Sequence, residues 1–500
     1  MSQEKLAELR GRLCEVANVG AAVVLLSWDQ ETYMPPKAAP GRGQQLATLS
    51  AISHQMFTAP ELGALLDELG DGRASLEPDD AALVAETRYD YDRAKRLPES
   101  FVRRFVEEQS KAYESWVKAR EENRFEVFRP QLDVLVGLLK ERAELLGYTG
   151  SPYNALLEDH ERGMTAEELR PLFAGLAERQ GALIRRIVES GRRPDTAWAD
   201  QEWDTQRQWD FTMRVLEDMG FDFEAGRQDR SVHPFTTNLE LYDVRVTTRV
   251  NPRLLFSAVM SSVHEGGHAL YEQGFLERDR HTPLAAAPSL GLHESQSRMW
   301  ENVIGRSRPF WEHYAGRLRD AFPSQLDGVS VQQLYEAVNR VEPSLIRVEA
   351  DECTYNLHVI LRFEIEVGVI EGRIAVADLP EVWNAKMKEY LGVDVPDDLR
   401  GCLQDIHWAH GSMGYFPTYT LGNLYASQIF ERILDDLPGL WDDIAAGRFG
   451  GLLDWLREHI HRRGRRDLAP AVVRDVTGRE PGAEAYLGYL ERKYGELYGV

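Results

Sequence analysis

Apolar side chains recur at three- and four-residue intervals along most of this chain, and that period commits it to helix before any motif is considered. Polar–apolar helical repeats cover residues 3–26, 41–69, 79–95, 99–147, 165–191 and 204–219, interrupted at Pro35–Pro36, Asp71–Gly72, Pro98 and Gly147. Helices resume from about residue 295 and run to the C-terminus, with loops near Phe322–Pro323, Gly392 to Pro396 and Gly411 to Pro417. One segment reads differently. Between Val232 and Val250, β-branched residues such as Thr236, Val244, Val246 and Thr248 alternate with polar ones, which is a strand pattern. The expected fold class is therefore all-α, mainly helical, with a small β-sheet. No repeat, low-complexity segment or linker divides the chain, so a single domain over residues 1–500 is expected.

Composition narrows the function classes. Apolar residues make up 43% of the 500, enough for a sizeable core. A net charge of −23 disfavours nucleic acid and anionic membrane surfaces as partners. Cys14, Cys353 and Cys402 are odd in number and lack a C-x-x-C spacing, which points to a reducing compartment. The polar N-terminus has no signal-peptide core, and the longest apolar run, Val19 to Trp28, is about half a membrane span. A cytoplasmic location is expected.

Chemistry enters at His264-Glu265-Gly266-Gly267-His268, an H-E-x-x-H string. By composition alone it arises in roughly one chain in thirty of this length. Its helical setting adds weight: Phe256, Val259, Met260, Val263, Leu270 and Tyr271 keep the helical period through it, Asn251–Pro252 reads as a start and Gly274 as a stop. On a helix the two imidazoles share one face and can bind a single Zn²⁺, with Glu265 beside them in reach of a water. The two glycines conflict with this setting, each costing about 1 kcal/mol against alanine. Close approach of a substrate or a packed neighbour explains them, and a simple kink is the alternative. A catalytic zinc needs a third ligand. Glu272, on the same helix, lies too far along it, whereas Glu294 and Glu301 share a face of a second helix beginning near His293. Spacing does not choose between them.

Five ordered stretches together resemble the M32 metallocarboxypeptidases of the carboxypeptidase Taq type: Asp243 to Arg249, the H-E-x-x-H itself, His293-Glu294-Ser295-Gln296, Ile346 to Asp351, and Gly401-Cys402-Leu403-Gln404-Asp405-Ile406-His407-Trp408. The resemblance implies Glu294 as the third zinc ligand, with Glu301 orienting a ligand histidine or pairing with an arginine. It also implies a helical body with a deep central cleft, broad specificity except toward substrates ending in Pro, and a homodimer. Co²⁺ could replace Zn²⁺ in such a His₂Glu set.

Peptide hydrolysis requires a base and oxyanion donors. Glu265 fits the first role. His407, Tyr415 and Tyr419, in a Gly-, Pro- and aromatic-rich loop, are candidate donors; the resemblance supports His407 and one tyrosine, with Tyr419 preferred over Tyr415. A carboxypeptidase must also hold a free C-terminal carboxylate, a task suited to a guanidinium. Arg347 and Arg400 are the candidates, Arg347 foremost, with Asp351 one turn away to aim it. Gln404 and His233 are candidate backbone contacts. The basic cluster His459 to Arg466 reads as a solvated helix end. Expected, then, is a zinc metallocarboxypeptidase acting on peptides with a free C-terminus. A zinc endo- or oligopeptidase on the same fold is one rival, and a non-catalytic helical binding protein with structural zinc is another.

Overall fold

The computed structural model describes residues 2–500 and is mainly helical, as the periodicity requires. The first long helix runs Ser2–Thr32 and is followed by Ala39–Phe57, Pro60–Asp71, Pro78–Arg96, Glu99–Glu122 and Arg129–Leu146. Two repeats read as continuous are broken. The stretch 41–69 divides where Pro60 opens a new helix, and 99–147 divides at Asn123, which adopts φ +48° before Pro130 restarts the helix. Among the described residues no helix is long and apolar enough to cross a membrane.

The strand candidate resolves into two strands, and a third precedes it. β1 (Gly226–Arg230), β2 (Thr236–Glu240) and β3 (Asp243–Thr248) form a sheet of order β1-β3-β2. β3 pairs parallel with β1 and antiparallel with β2, so Val246 faces both Gln228 and Thr236. β1 reads Gly-Arg-Gln-Asp-Arg and lacks the alternation that signals a strand, which is why its sequence gives no warning.

Beneath the sheet lies the helix of the H-E-x-x-H string, Leu255–Glu272, here called the metal helix. It begins later than Asn251–Pro252 suggested. Asn251 caps a separate turn, its Oδ1 accepting the Arg253 amide at 2.9 Å, and the Pro252 carbonyl is bound by the Trp203 amide. Sheet and helix are tied by polar contacts: Ser262 Oγ donates to Gln228 Oε1 at 2.8 Å, and Thr236 Oγ1 donates to the Glu265 carbonyl at 2.9 Å.

The paired glycines now have a cause. A Cβ at Gly267 would stand 2.7 Å from the Ser297 Cα and 2.8 Å from the Gln296 carbonyl, both in the backbone of the helix Leu290–Arg298. One at Gly266 would stand 2.6 Å from Leu216 Cδ2, on the helix Thr205–Met219. A neighbouring backbone, rather than a kink, requires Gly267, while Gly266 faces the movable ends of Leu216 and Met219.

Leu290–Arg298 begins at Ser289, whose Oγ accepts the Leu292 amide, and continues as a π-helical turn over Met299–Gly305. Its other side packs on the helix Pro417–Asp436, where a Cβ at Gly422 would lie 2.6 Å from Glu294 Cγ. One large apolar cluster runs from Phe101 to Tyr498. The helices before it surround their own smaller cluster, Leu6 to Tyr91, joined by Leu284.

The basic run near residue 460 is not a solvated end. His461 is buried against the Tyr271 ring, with Nε2 3.1 Å from Gln296 Oε1. Arg465 pairs with Asp90 and Glu86, and Arg466 with Asp79 and Asp279, joining the C-terminal helices to the N-terminal layer.

Gly267→Ala is expected to destabilise the fold by about 1–3 kcal/mol, because the atoms it meets are backbone and cannot rotate away. Denaturant unfolding beside a metal-retention assay checks this, and a variant with unchanged stability and metal content would contradict it.

Candidate metal centre and active site

One turn of helix separates His264 from His268, so their rings share one face and meet edge to face, centroids 4.9 Å apart and planes at 84°. The helix Leu290–Arg298 brings Glu294 opposite them. Glu294 Oε2 lies 3.3 Å from His268 Nε2 and 3.8 Å from His264 Nε2, and one donor atom of each residue falls within 4.8 Å of the others. Donors on a tetrahedral ion with bonds of about 2.0–2.1 Å stand roughly 3.3–3.4 Å apart, so the set fits such an ion with modest movement. Three protein donors leave a fourth corner for solvent.

The other ring nitrogens are occupied, which fixes the tautomers. His264 Nδ1 lies 2.8 Å from Glu301 Oε2, leaving the Nε2 lone pair free for the ion. His268 reaches the same result by a longer route: its Nδ1 meets His293 Nδ1 at 2.5 Å, and His293 Nε2 meets Glu272 Oε1 at 2.6 Å. Glu272 accepts the Nε2–H of His293, so His293 Nδ1 accepts from His268 Nδ1–H and the Nε2 of His268 keeps its lone pair. Glu272 is thus a supporting carboxylate, as is Glu301. His293 was visible only as part of a motif and carried no assigned role.

The charges balance locally. Burial opposes ionisation of Glu294, but Arg298, whose Nε donates to Glu294 Oε1 at 2.6 Å, and His264 hold it well below the usual carboxylate range. Glu301 is held down against burial by His264, Arg298 and Arg306. Burial works against charge on His264, yet Glu294 and Glu301 raise its pKa above the ordinary value. The pocket favours positive charge at the point where the donors meet. For His268, burial and the neighbouring His293 lower the pKa to about 3.

Glu265 is buried beside this set. Thr236, at the start of β2, shares its single hydroxyl proton between the Glu265 carbonyl and Glu265 Oε2, the latter at 2.7 Å, and burial raises the Glu265 pKa above the ordinary carboxylate value. Strand and helix together therefore aim the carboxylate. In the sequence Thr236 signals only a strand.

Tyr415 and Tyr419 stand at the start of Pro417–Asp436, ring centroids 5.4 Å apart, with His407 5.4 Å from Tyr415 and 6.4 Å from Tyr419. Burial pushes Tyr415 up to about 12 and Tyr419 well above its ordinary value, so both keep their protons. Burial lowers His407 to about 3 and leaves it a neutral imidazole, a donor without net charge.

Arg347 is buried, and it is held differently from expectation. Asp405 accepts from its Nε at 3.1 Å and its Nη2 at 2.8 Å, and its Nη1 donates to Tyr355 Oη at 2.9 Å. Asp351 does not aim it; Asp351 accepts the backbone amides of Cys353 and Thr354 instead. Asp405 also binds Arg362, and the two guanidinium groups hold it far below its normal range against burial. Arg347 lies on a 3-10 turn, Arg347–Glu349, so its i,i+4 spacing to Asp351 never becomes a helical face.

Two substrate candidates are held by other partners in the structure. Arg400 is exposed and spends its guanidinium on Asp397, an ordinary surface ion pair. Gln404 has no amide atom to spare: Oε1 accepts the Arg347 amide and Arg362 Nη2, while the two protons of Nε2 are shared among the carbonyls of Leu345, Arg400 and Gly401. His233 lies exposed between β1 and β2. A pocket of about 410 Å³ opens beside His293 and Glu272, lined also by Tyr89, His160, Arg162 and Leu290.

The family model for carboxypeptidase Taq (M32) metallopeptidases matches residues 8–494. The chain is 42% identical to thermostable carboxypeptidase 1 of Thermus thermophilus across 99% of each, and 37% identical to carboxypeptidase 1 of Bacillus subtilis across 97% of each. It superposes on the M32 carboxypeptidase of Deinococcus radiodurans R1 with a TM-score of 0.97 at 41% identity, covering 99% of this chain and 100% of that one. Trypanosoma cruzi metallocarboxypeptidase 1 gives 0.94 at 35% identity, covering 98% and 99%.

His293→Ala leaves the Nδ1 of His268 without its partner. It is expected to weaken metal affinity roughly ten- to a hundredfold with little change in folding. Titration against a competing chelator reads this directly, and affinity equal to the parent would show that the relay does not support the ion.

Proposed function

This chain belongs to the carboxypeptidase Taq (M32) metallopeptidase family and is a metallocarboxypeptidase, and on that premise we propose that it removes C-terminal residues from peptides at a zinc ion held by His264, His268 and Glu294. The observation that carries the reading is Glu265, a buried carboxylate aimed by Thr236 and standing beside three convergent donors. A structural site has no use for a base there.

His264, His268 and Glu294 would hold the zinc, which would supply Lewis acidity toward a water and the scissile carbonyl. Glu265 takes the proton of the attacking water as its oxygen bonds to the carbonyl carbon. The same carboxyl then returns the proton to the amine nitrogen as the C–N bond breaks. His407 and Tyr419 donate to the oxygen that gains negative charge, and Tyr415, packed on Tyr419, shares that duty or steadies it. Because burial keeps these three groups protonated or neutral, they stabilise charge without adding a net cation.

Arg347 is the group we assign to the substrate's free carboxylate. Asp405 and Tyr355 take three of its five N–H donors, leaving two, and its guanidinium lies 5.1 Å from the Tyr419 ring. Asp405 offsets the cost of burying its charge before substrate arrives. Broad side-chain tolerance accords with a reading in which the main contacts are to backbone and carboxylate. Co²⁺ fits the same donor set.

Glu265→Gln is expected to keep its metal and lose turnover by roughly a hundredfold or more; a variant that binds metal and still cleaves at the parent rate removes the base from the mechanism. Amidating the C-terminus of a good peptide substrate is expected to abolish cleavage. Internal cuts in the amidated peptide, followed by mass spectrometry, would favour an endopeptidase. Chelation is expected to stop turnover, and Zn²⁺ or Co²⁺ to restore it.

A further inference from the structure

Glu366 lies in the core on the helix Tyr355–Ile370, fully buried, and among the described residues it forms no ion pair. Its neighbours are neutral donors. Trp408 Nε1 donates to Oε1 at 2.9 Å, and Tyr153 Oη and the Gly414 amide donate to Oε2 at 2.9 and 3.0 Å. The nearby cation, Arg362, is already bound to Asp405. Burial lifts the Glu366 carboxyl to about 7, with the three donors pulling the other way. A buried carboxyl with only neutral partners is costly to keep, so its contacts are the place to look for its use.

Those contacts bracket one loop. Trp408 follows His407 directly, and Gly414 directly precedes Tyr415. Between them the chain turns back on itself, with the amides of His410 and Ser412 bound to the His407 carbonyl. Gly414 has φ +99°, and a Cβ there would lie 2.7 Å from the Leu156 carbonyl carbon, so the loop is pressed against the turn that also carries Tyr153. We propose that Glu366 is a positioning residue for this reaction, one carboxylate holding both flanks of the loop and so setting where His407 and Tyr415 stand.

This rests on the roles proposed above for His407 and the tyrosines. Glutamine cannot replace the carboxylate without loss. Its NH₂ group must face either the Trp408 N–H or the Gly414 N–H, donor against donor, and one flank is released.

The test uses the full-length metal-loaded enzyme and a peptide with a free C-terminus. Glu366→Gln is expected to lower kcat roughly ten- to a hundredfold, as displacement of reacting groups by an ångström does, with KM and bound metal little changed. In a Glu366→Gln/His407→Ala double variant the losses are expected to overlap instead of multiplying, because both act through one group. Parent kcat in Glu366→Gln, or fully multiplicative losses, would overturn the proposal. If Glu366→Gln does not fold, Trp408→Phe carries the test: it removes one of the three donors and keeps an aromatic ring, and unchanged kcat sinks the idea. His407→Ala turning over at the parent rate would instead overturn the role of His407, and the double-variant comparison is then made against Tyr415→Phe.

Discussion

The active centre depends on backbone-distance contact between helices. Gly267 lets the metal helix touch the backbone at Gln296 and Ser297, and Gly422 lets the helix Pro417–Asp436 close on Glu294 from the other side. With no Cβ on either face, Glu294 is gripped between two elements and its carboxylate has little freedom to leave the imidazoles. The preference for alanine that a helix exerts, about 1 kcal/mol at each glycine, is small against what would be lost if the three donors were moved apart. Precision here comes from missing atoms.

A second constraint is that nearly every charge in this region is buried and must be answered. Glu294 and Glu301 are answered by Arg298 and Arg306, Asp405 by Arg347 and Arg362. Buried pairs of this kind add little net stability, since desolvation consumes most of the attraction, but losing one member leaves the other exposed to the full penalty. The network is therefore intolerant of single changes, and it fixes side-chain directions that apolar packing alone would leave loose.

Much of this was legible in the chain. The helical period, the strand tendency near Thr236 and the face shared by His264 and His268 follow from spacing, and the family resemblance pointed to Glu294, whose carboxylate does meet those imidazoles. What stayed hidden depends on long-range partners. Arg347 looked as though it paired with Asp351 because four residues separate them, but the local backbone is a 3-10 turn and the true partner, Asp405, lies 58 residues away. Gln404 and Arg400 belong to a recognisable block, and only their satisfied hydrogen bonds reveal them as scaffold and surface. His461 and the arginines after it read as solvent-facing because a local charge run says nothing about Asp79, Asp90 and Asp279, which meet them in the fold.

Those last contacts bear on how the molecule yields under stress. The N-terminal layer has a separate apolar nucleus around Leu6, Leu66 and Leu83, and part of its attachment to the rest runs through Arg162, Arg465 and Arg466 gripping acids of Pro78–Arg96. Apolar packing holds each part together and crosses between them at Leu284, while oppositely charged groups, partly open to solvent and so sensitive to dissolved ions, add further ties. Concentrated electrolyte thus loosens the seam before it touches either interior, and amide protons of the first hundred residues would exchange as a cooperative block ahead of those around the ion.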